Sequence, residues 1–122
     1  MRCTFCRIVA GEAGGDVLYQ DREITAFRDI RPQAPTHVLI VPNVHVSSLD
    51  QLFEVDSSLL VKMLSKAHDL AEATGIAVKG YRLVINTGPD AGQVVDHLHL
   101  HLLGGKPLQP NGMALRWKDE MT

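Results

Sequence analysis

The sequence predicts an α+β domain in which a largely antiparallel sheet packs against one main helix. Several short segments have the apolar or alternating pattern of β-strands, and they lie both before and after a single long segment with helical spacing. This order is typical of an antiparallel sheet with a helix on one side, whereas a parallel sheet needs strands and helices in alternation. The chain has 122 residues, of which 45% are hydrophobic, and this suits one compact domain with one core.

The first part of the chain predicts a helical turn, a hairpin and a buried strand. The stretch "FCRIVAG" can form one turn that ends at Gly11, because a residue without a Cβ suits a helix end. The strand-like stretches "DVLYQ" and "EITAFRD" follow each other closely and predict a β-hairpin. Pro32 and Pro35 make "RPQAPT" a loop, and "HVLIVP" is then a buried strand that stops at Pro42.

The second part predicts the main helix and two further strands. Residues 56–74 have one apolar face with three-four spacing, formed by Leu60, Met63, Leu64, Ala67, Leu70 and Ala71. Asp56 or Ser57 is a candidate N-cap, and Gly75 is a candidate helix stop. The stretch "YRLVIN" alternates as a strand, and a glycine-rich loop, "TGPDAGQ", leads into a long final strand, "VVDHLHLHLL".

Charge and hydropathy exclude several classes of partner. The formal net charge is −2 and no run of lysine or arginine is present, so we expect neither a nucleic acid nor an anionic membrane as partner. The first residues carry no apolar segment of the signal-peptide kind. The longest strongly apolar run, residues 38–41, is too short to cross a bilayer. We therefore expect a cytoplasmic protein.

The stretch "HLHLHLLGG" places three histidines at alternate positions, with leucines between them. The leucines require burial, so a strand is favoured, in which all the histidines share one face. Neighbours on one face of a strand are about 6.7 Å apart, which separates His97 from His101 by about 13 Å. Zinc–nitrogen bonds are only about 2.0–2.1 Å long, so the three histidines cannot bind one metal together. Their roles must differ.

One of these histidines is a candidate zinc ligand. Cys3 and Cys6 have the C-x2-C spacing of a zinc half-site, and two unrelated thiols are the alternative. His97 and His45 are the candidate nitrogen ligands. Two cysteines with two histidines form a closed tetrahedral site, which is structural and would fix the N-terminus to the sheet. The competing interpretation is that His45 and His97 are ordinary polar residues.

The central histidine, His99, is the best candidate nucleophile, or else a general base. A neutral imidazole attacks phosphorus when its other nitrogen donates a proton to a fixed acceptor. His101 could then bind a phosphate oxygen. Asn86 and Gln93 flank the glycine-rich loop, and either could hold a phosphoryl oxygen through a hydrogen bond. Gly92 could let backbone amides approach an anion, although an ordinary turn glycine is the simpler interpretation.

With these histidines the chain resembles the histidine triad (HIT) superfamily, whose motif is His-x-His-x-His followed by apolar residues. The segments "FCRIVAGE", "AFRDIRPQAPTHVLIVP", "GYRLVINTGPDAGQ" and "HLHLHLLGG" are similar in order and spacing to the Hint branch, the nucleoside phosphoramidate hydrolases. The resemblance covers nearly the whole chain, as a single HIT domain over 1–122 with a zinc-tethered segment, 1–15, and a tail, 106–122. It implies a homodimer whose two five-stranded sheets form one continuous sheet.

The resemblance also implies a double displacement at the α-phosphorus of a purine nucleotide, an AMP or GMP derivative, without a metal in the chemistry. His99 matches the nucleophile that forms a covalent nucleotidyl intermediate, and His97 and His101 match its flanking triad members. Asn86 and Gln93 match the hydrogen bonders on the phosphate side. Other matched positions are Asp29 for the ribose hydroxyls, Phe5, Ile8 and Ile30 for the base, and Cys3, Cys6, His45 and His97 for one structural Zn²⁺ per chain.

One position departs from the family pattern. After "GQ" the branch commonly has serine or threonine to assist the leaving group, and this chain has Val94, which cannot donate a proton. Aminoacyl-adenylates or dinucleoside polyphosphates therefore become candidate substrates beside phosphoramidates. A nucleotidyl transferase and a nucleotide-binding protein with low activity are two further candidate functions. Trp117, in the tail, either influences specificity or simply packs.

Overall fold

The computed structural model describes residues 3–110, so Trp117 and most of the predicted tail lie outside the described residues. The helices and strands follow the order α1 (Thr4–Val9), β1 (Val17–Gln20), β2 (Ile24–Arg28), β3 (Thr36–Pro42), α2 (Leu49–Val55), α3 (Ser58–Ala73), β4 (Tyr81–Val84) and β5 (Leu100–Gly104), with a short 3-10 turn, Pro89–Ala91, before β5. None of the helices within the described part is long and apolar enough to cross a membrane.

The strands form one five-stranded antiparallel sheet in the order β1-β2-β3-β5-β4. The predicted hairpin is present, because β1 pairs directly with β2. Strand β3 lies at the centre, where it pairs with β2 on one side and with β5 on the other. The predicted α+β class with an antiparallel sheet and one main helix is therefore confirmed.

One face of the sheet packs against α3. The main core there combines Leu98, Leu100 and Leu102 with α3 residues that include Met63 and Ala67. The helix begins at Ser58, two residues later than predicted, and the Asp56 carboxylate accepts a hydrogen bond from the Ser58 amide at 3.1 Å. Past the helix end Gly75 has a φ of +81°, a left-handed conformation that glycine adopts without strain.

The opposite face of the sheet carries α1 and the histidines. A second, smaller core combines Phe5 and Ile8 of α1 with Phe27, Leu39 and Val41 of the sheet. The alternation of the final segment therefore has the predicted effect: the leucines enter the core under α3, and the imidazoles lie on the face that α1 covers.

The final strand is shorter than predicted. The sequence pattern predicts a strand throughout "VVDHLHLHLL", but β5 starts only at Leu100. The β3–β5 register ends with Ile40 opposite Leu100, and the next residues of β3 include Pro42, which has no amide hydrogen to donate. The Leu98 amide instead donates to the Val46 carbonyl at 2.8 Å. Strand β4 likewise ends before the predicted boundary, at Val84 rather than Asn86.

Helix α2 is absent from the predictions. It has only 7 residues, and Leu52 is the one that it buries. Two turns are too few for helical spacing to stand out, and Phe53 and Val55 of this helix are exposed.

Candidate functional site

The ring of His99 is held by the backbone of the preceding histidine. Its Nδ1 lies 2.8 Å from the carbonyl oxygen of His97. A carbonyl can only accept, so Nδ1 carries the hydrogen and the neutral ring has its lone pair on Nε2. This is the tautomer that an attacking imidazole needs, because the donating nitrogen is fixed and the other nitrogen is nucleophilic.

A fourth histidine, His37, contacts the histidines of the final strand, and the sequence pattern does not predict this. The Gln33 amide donates to its Nδ1 at 3.0 Å, so Nε2 of the neutral ring carries the hydrogen. That nitrogen lies 2.9 Å from Nδ1 of His101, to which it donates. His101 then carries its own hydrogen on Nε2. Its only mark in the sequence is an imidazole near the start of β3, where the residues that follow it in the strand are all apolar.

The carboxylate of Asp29 adjoins this histidine pair. Its Oδ2 lies 3.4 Å from Nε2 of His37, and its Oδ1 accepts a hydrogen bond from the Arg31 amide at 2.8 Å. The amide fixes the orientation of the carboxylate, whose side chain is only 6% exposed. Asp29 therefore connects the histidine pair to the loop that follows β2, of which it is the first residue.

Burial determines the charge state of these imidazoles. Desolvation lowers the pKa of His37, while the negative charge of Asp29 opposes this shift in part. Desolvation lowers the pKa of His99 as well, and it pushes the pKa of His101 well below its ordinary value. The rings are therefore neutral near pH 7, as the tautomers derived above require.

A pocket of about 240 Å³ opens beside the histidines. Its walls include Phe5 and Ile8 from α1, with Asp29 and Ile30 from the loop after β2. These are the residues that the resemblance assigns to the base and the ribose, and the structure brings them together. The Phe5 ring also packs edge-to-face on His99, with the ring centroids 5.1 Å apart, so the pocket and the candidate nucleophile share a wall.

The glycine-rich loop is held by its own hydrogen bonds. The side-chain amide of Gln93 donates to the carbonyls of Ser47 and Val95, and its Oε1 accepts from the Gly88 amide. The Gly92 amide donates to the Pro89 carbonyl. In this structure Gln93 and Gly92 therefore shape the loop, and their contact with a phosphate stays a prediction.

Two other predicted positions follow strand β4. Asn86 is buried two residues past the end of β4, and the last pair of the β4–β5 register joins Val84 to His101. Val94 is 37% exposed and does not line the pocket, whereas its neighbour Val95 does.

The predicted metal ligands converge at the start of α1. Nδ1 of His97 lies 3.3 Å from Sγ of Cys3 and 3.5 Å from Sγ of Cys6. Nδ1 of His45 lies 3.5 and 3.2 Å from the same sulfurs. A tetrahedral zinc ion with ordinary bond lengths would separate sulfur from nitrogen by about 3.6 Å, so the arrangement fits a zinc ion closely.

The ring of His97 has the tautomer and the charge state that this metal requires. Nε2 of His97 donates to the carbonyl of Pro42 at 2.9 Å, which leaves the lone pair of Nδ1 directed at the thiols. Burial lowers the pKa of His97 to about 4, so this ring is neutral and able to ligate.

The family model, a curated relative and a solved structure all relate this chain to the HIT family. The model of the HIT domain family matches residues 10–108. The purine nucleoside phosphoramidase of Escherichia coli is 47% identical over 106 residues, which cover 87% of this chain and 89% of that protein. The crystal structure of a HIT family hydrolase from Legionella pneumophila superposes with a TM-score of 0.86 at 47% identity, covering 90% of this chain and 98% of that one.

A more distant structure is of interest for the Cys/His cluster. A Zn-bound histidine triad family protein from Mycobacterium smegmatis superposes with a TM-score of 0.76 at 26% identity, and the match covers 100% of this chain and 99% of that one.

The neutral, buried state of His37 predicts a pH dependence of stability. Its pKa in the folded protein is lower than the 6.5 of a free imidazole, so the unfolded chain binds more protons below that pH. The contribution to stability is complete above the unfolded pKa and is lost as the pH falls towards the folded pKa. We expect His37→Gln to lose less free energy of unfolding than the wild type between about pH 7.5 and about pH 5.5, measured by urea denaturation.

The groups that face His37 are Asp29, His99 and His101, and all of them remain in this variant. His68→Gln, on the exposed surface of α3, is the control and should follow the wild type. An equal loss in the wild type and in His37→Gln would contradict the prediction.

Proposed function

Because the chain belongs to the HIT domain family, we propose that it is a hydrolase of purine nucleotide derivatives, with His99 as the nucleophile. The observation that carries the proposal is the hydrogen bond from Nδ1 of His99 to the His97 carbonyl, because it leaves the lone pair on Nε2. The phosphoramidase name of the Escherichia coli relative supports the substrate class, an AMP or GMP derivative in which phosphorus is bonded to nitrogen.

The proposed reaction is a double displacement. Nε2 of His99 attacks the α-phosphorus, a phosphorus–nitrogen bond forms to the ring, and the bond to the leaving group breaks. The leaving group departs with the electron pair: an amine takes a proton from solvent, whereas a carboxylate leaves as the anion. Water then attacks the phosphorus of the nucleotidyl-histidine, a proton passes to solvent, and the nucleoside monophosphate leaves while His99 recovers its lone pair.

The neighbouring side chains have separate roles in this scheme. The tautomer of His101 carries its hydrogen on Nε2, where it can donate to a phosphoryl oxygen as negative charge develops in the transition state. Asn86 is buried just past the end of β4 and offers a neutral hydrogen bond to a phosphoryl oxygen. Gln93 acts through the loop that it holds, since both hydrogens of its amide donate to backbone carbonyls.

The pocket supplies the specificity for a nucleoside. Phe5 and Ile8, with Phe27 beneath them, form an apolar slot that suits a flat purine. The carboxylate of Asp29, which lines the pocket, can accept hydrogen bonds from ribose hydroxyls. The same carboxylate lies 3.4 Å from Nε2 of His37. The negative charge of Asp29 would therefore act on both the bound ribose and the pair of His37 and His101.

Val94 favours substrates with good leaving groups. An amine leaves only when it gains a proton, and an aliphatic side chain at this exposed position cannot supply one. A carboxylate leaves an aminoacyl-adenylate without that assistance. We therefore include aminoacyl-adenylates among the substrates, ahead of dinucleoside polyphosphates or transfer to an acceptor other than water.

The residues of the Cys/His cluster fit one structural zinc ion per chain. Cys3, Cys6, His45 and His97 would hold it, and their distances match tetrahedral coordination. When bound, the ion supplies a crosslink between the N-terminal segment and the sheet. The proposed displacement at phosphorus uses the histidines alone.

We also propose that two copies associate through β4. This strand lies at the end of the sheet, and in the described part of the chain its outer edge has no partner strand. Tyr81 and Leu83 are exposed on it, although their partners across the ladder, Gly104 and Leu102, face the core. Pairing of β4 with a second β4 would continue the sheet and cover these side chains.

The covalent intermediate is the first prediction of this scheme. Protein mixed with adenosine phosphoramidate or an aminoacyl-adenylate should acquire the mass of one adenylyl group and should release AMP. His99→Ala should lose the adduct and at least about a thousandfold in kcat, while AMP binding remains. His68→Ala is the control and should behave as the wild type. Absence of both adduct and AMP release with either substrate would refute the enzyme and favour a nucleotide-binding protein.

Substitution of Val94 tests the role of the leaving group. A hydroxyl in Val94→Ser can donate to a departing amine, so we expect kcat/KM for the phosphoramidate to rise about tenfold. The value for an aminoacyl-adenylate should stay within about twofold, because a carboxylate needs no proton to leave. Val78→Ser, at a position that is 93% exposed, is the control. An equal rise for both substrates would contradict this account.

The association can be tested by sedimentation. The wild type should sediment with twice the 13.4 kDa mass of one chain. Leu83→Lys introduces a charge beside the proposed strand pair, so it should shift the protein towards the mass of a single chain. Val78→Lys, which carries the same charge elsewhere, should remain a dimer. A wild type that stays monomeric at all concentrations would rule the dimer out.

A further inference from the structure

We propose that nucleotide binding by this chain depends on occupation of the Cys/His cluster, because helix α1 is shared between that cluster and the base pocket. The inference rests on the proposed function for the identity of the ligand, a purine nucleotide. Cys3 and Cys6 point to the cluster, whereas Phe5 and Ile8 of the same segment line the pocket. One short element therefore serves two sites.

Helix α1 is too short to be stable without tertiary contacts. It has only 6 residues, and an isolated helix of that length is unstable in water because too few hydrogen bonds form for the residues that must be ordered. Its stability must come from contacts beyond its own backbone. A metal bound by Cys3 and Cys6 would fix the first turn to His45 and His97, which belong to distant parts of the chain.

Phe5 transmits the position of α1 to the pocket. Its ring packs edge-to-face on Phe27, with the centroids 5.4 Å apart, and the same ring lies 5.8 Å from His97 and 5.1 Å from His99. Displacement of α1 would remove one wall of the pocket. It would also expose the ring that is to attack phosphorus.

His97 supplies a second connection. Its Nδ1 faces the thiols, its Nε2 donates to the Pro42 carbonyl, and its own carbonyl accepts the hydrogen of His99 Nδ1. Ligation of Nδ1 would hold the ring of His97 at both nitrogens, and the peptide that carries the carbonyl is then held as well. The metal site thereby positions both the wall of the pocket and the acceptor that orients the nucleophile.

His45 offers a clean way to test this dependence. It is exposed and does not line the pocket, and it reaches the site through His97, on which its ring packs edge-to-face with the centroids 4.9 Å apart. Chelation of the wild type keeps this ring contact and removes only the metal. His45→Ala is compared with His68→Ala, which removes an exposed histidine far from the cluster in sequence. Cys6→Ser is a second ligand variant. Zinc content, AMP affinity by calorimetry and amide hydrogen exchange are measured on each, and on the wild type with and without a chelator.

The wild type and His68→Ala should contain about one zinc ion per chain. His45→Ala and Cys6→Ser should lose the ion, bind AMP at least about tenfold more weakly, and exchange the α1 amides faster while α3 amides stay protected. The chelated wild type should do the same, and zinc should restore it. Loss of zinc with unchanged AMP affinity would overturn the proposal, as would wild-type protein without zinc.

The pattern of exchange separates this inference from the proposed function. Faster exchange in α1 and α3 alike would overturn the inference, because the metal would then stabilise the whole domain rather than one wall of the pocket. If the zinc-loaded wild type fails to bind AMP, the proposed function fails, and with it the dependence of AMP binding on zinc. If the wild type hydrolyses the phosphoramidate but its ligand variants bind AMP normally, the function stands and only the inference falls.

Discussion

The alternation of leucine and histidine in residues 97–102 is the constraint on which the other features depend. Because successive side chains of an extended backbone point to opposite faces, burial of the leucines against α3 forces the imidazoles to the other side of the sheet. There they are buried on the side of α1, and the ring of Phe5 packs on His97 and His99. The hydrophobic effect on one face thus fixes the location of the imidazoles on the other.

The histidine face is ordered by directional hydrogen bonds instead. Each neutral imidazole has one donor and one acceptor, and main-chain groups decide which nitrogen is which: the His97 carbonyl for His99, and the Gln33 amide for His37. From His37 the order continues to His101 across a single contact of 2.9 Å. Desolvation keeps these rings uncharged, so the tautomers persist at neutral pH.

The fold and most of the site follow from local patterns in the sequence, and the exceptions have identifiable causes. Periodicity predicts the hairpin, the central strand and α3, because each is a local property of the chain. It overestimates the length of the last strand. The ladder ends there because Pro42 has no amide hydrogen to donate and its carbonyl accepts a hydrogen bond from the His97 ring instead. Periodicity does not predict that His37 belongs to the histidine group, because its hydrogen-bond partner, His101, is 64 residues away in the sequence. Residue chemistry alone predicts the Cys/His cluster, whereas the residues that line the pocket follow only from the family resemblance.

The two-faced sheet also bears on how such a protein can evolve. Substitutions among the leucines act on the core under α3, whereas substitutions among the imidazoles act on the hydrogen-bonded face that meets α1. Substitution of a histidine can therefore alter that face while the leucines still bury the core, and the pocket beside Phe5 lies on the altered side. Two proteins of this fold can thus share one core and differ in the side chains that they present at a few alternate positions.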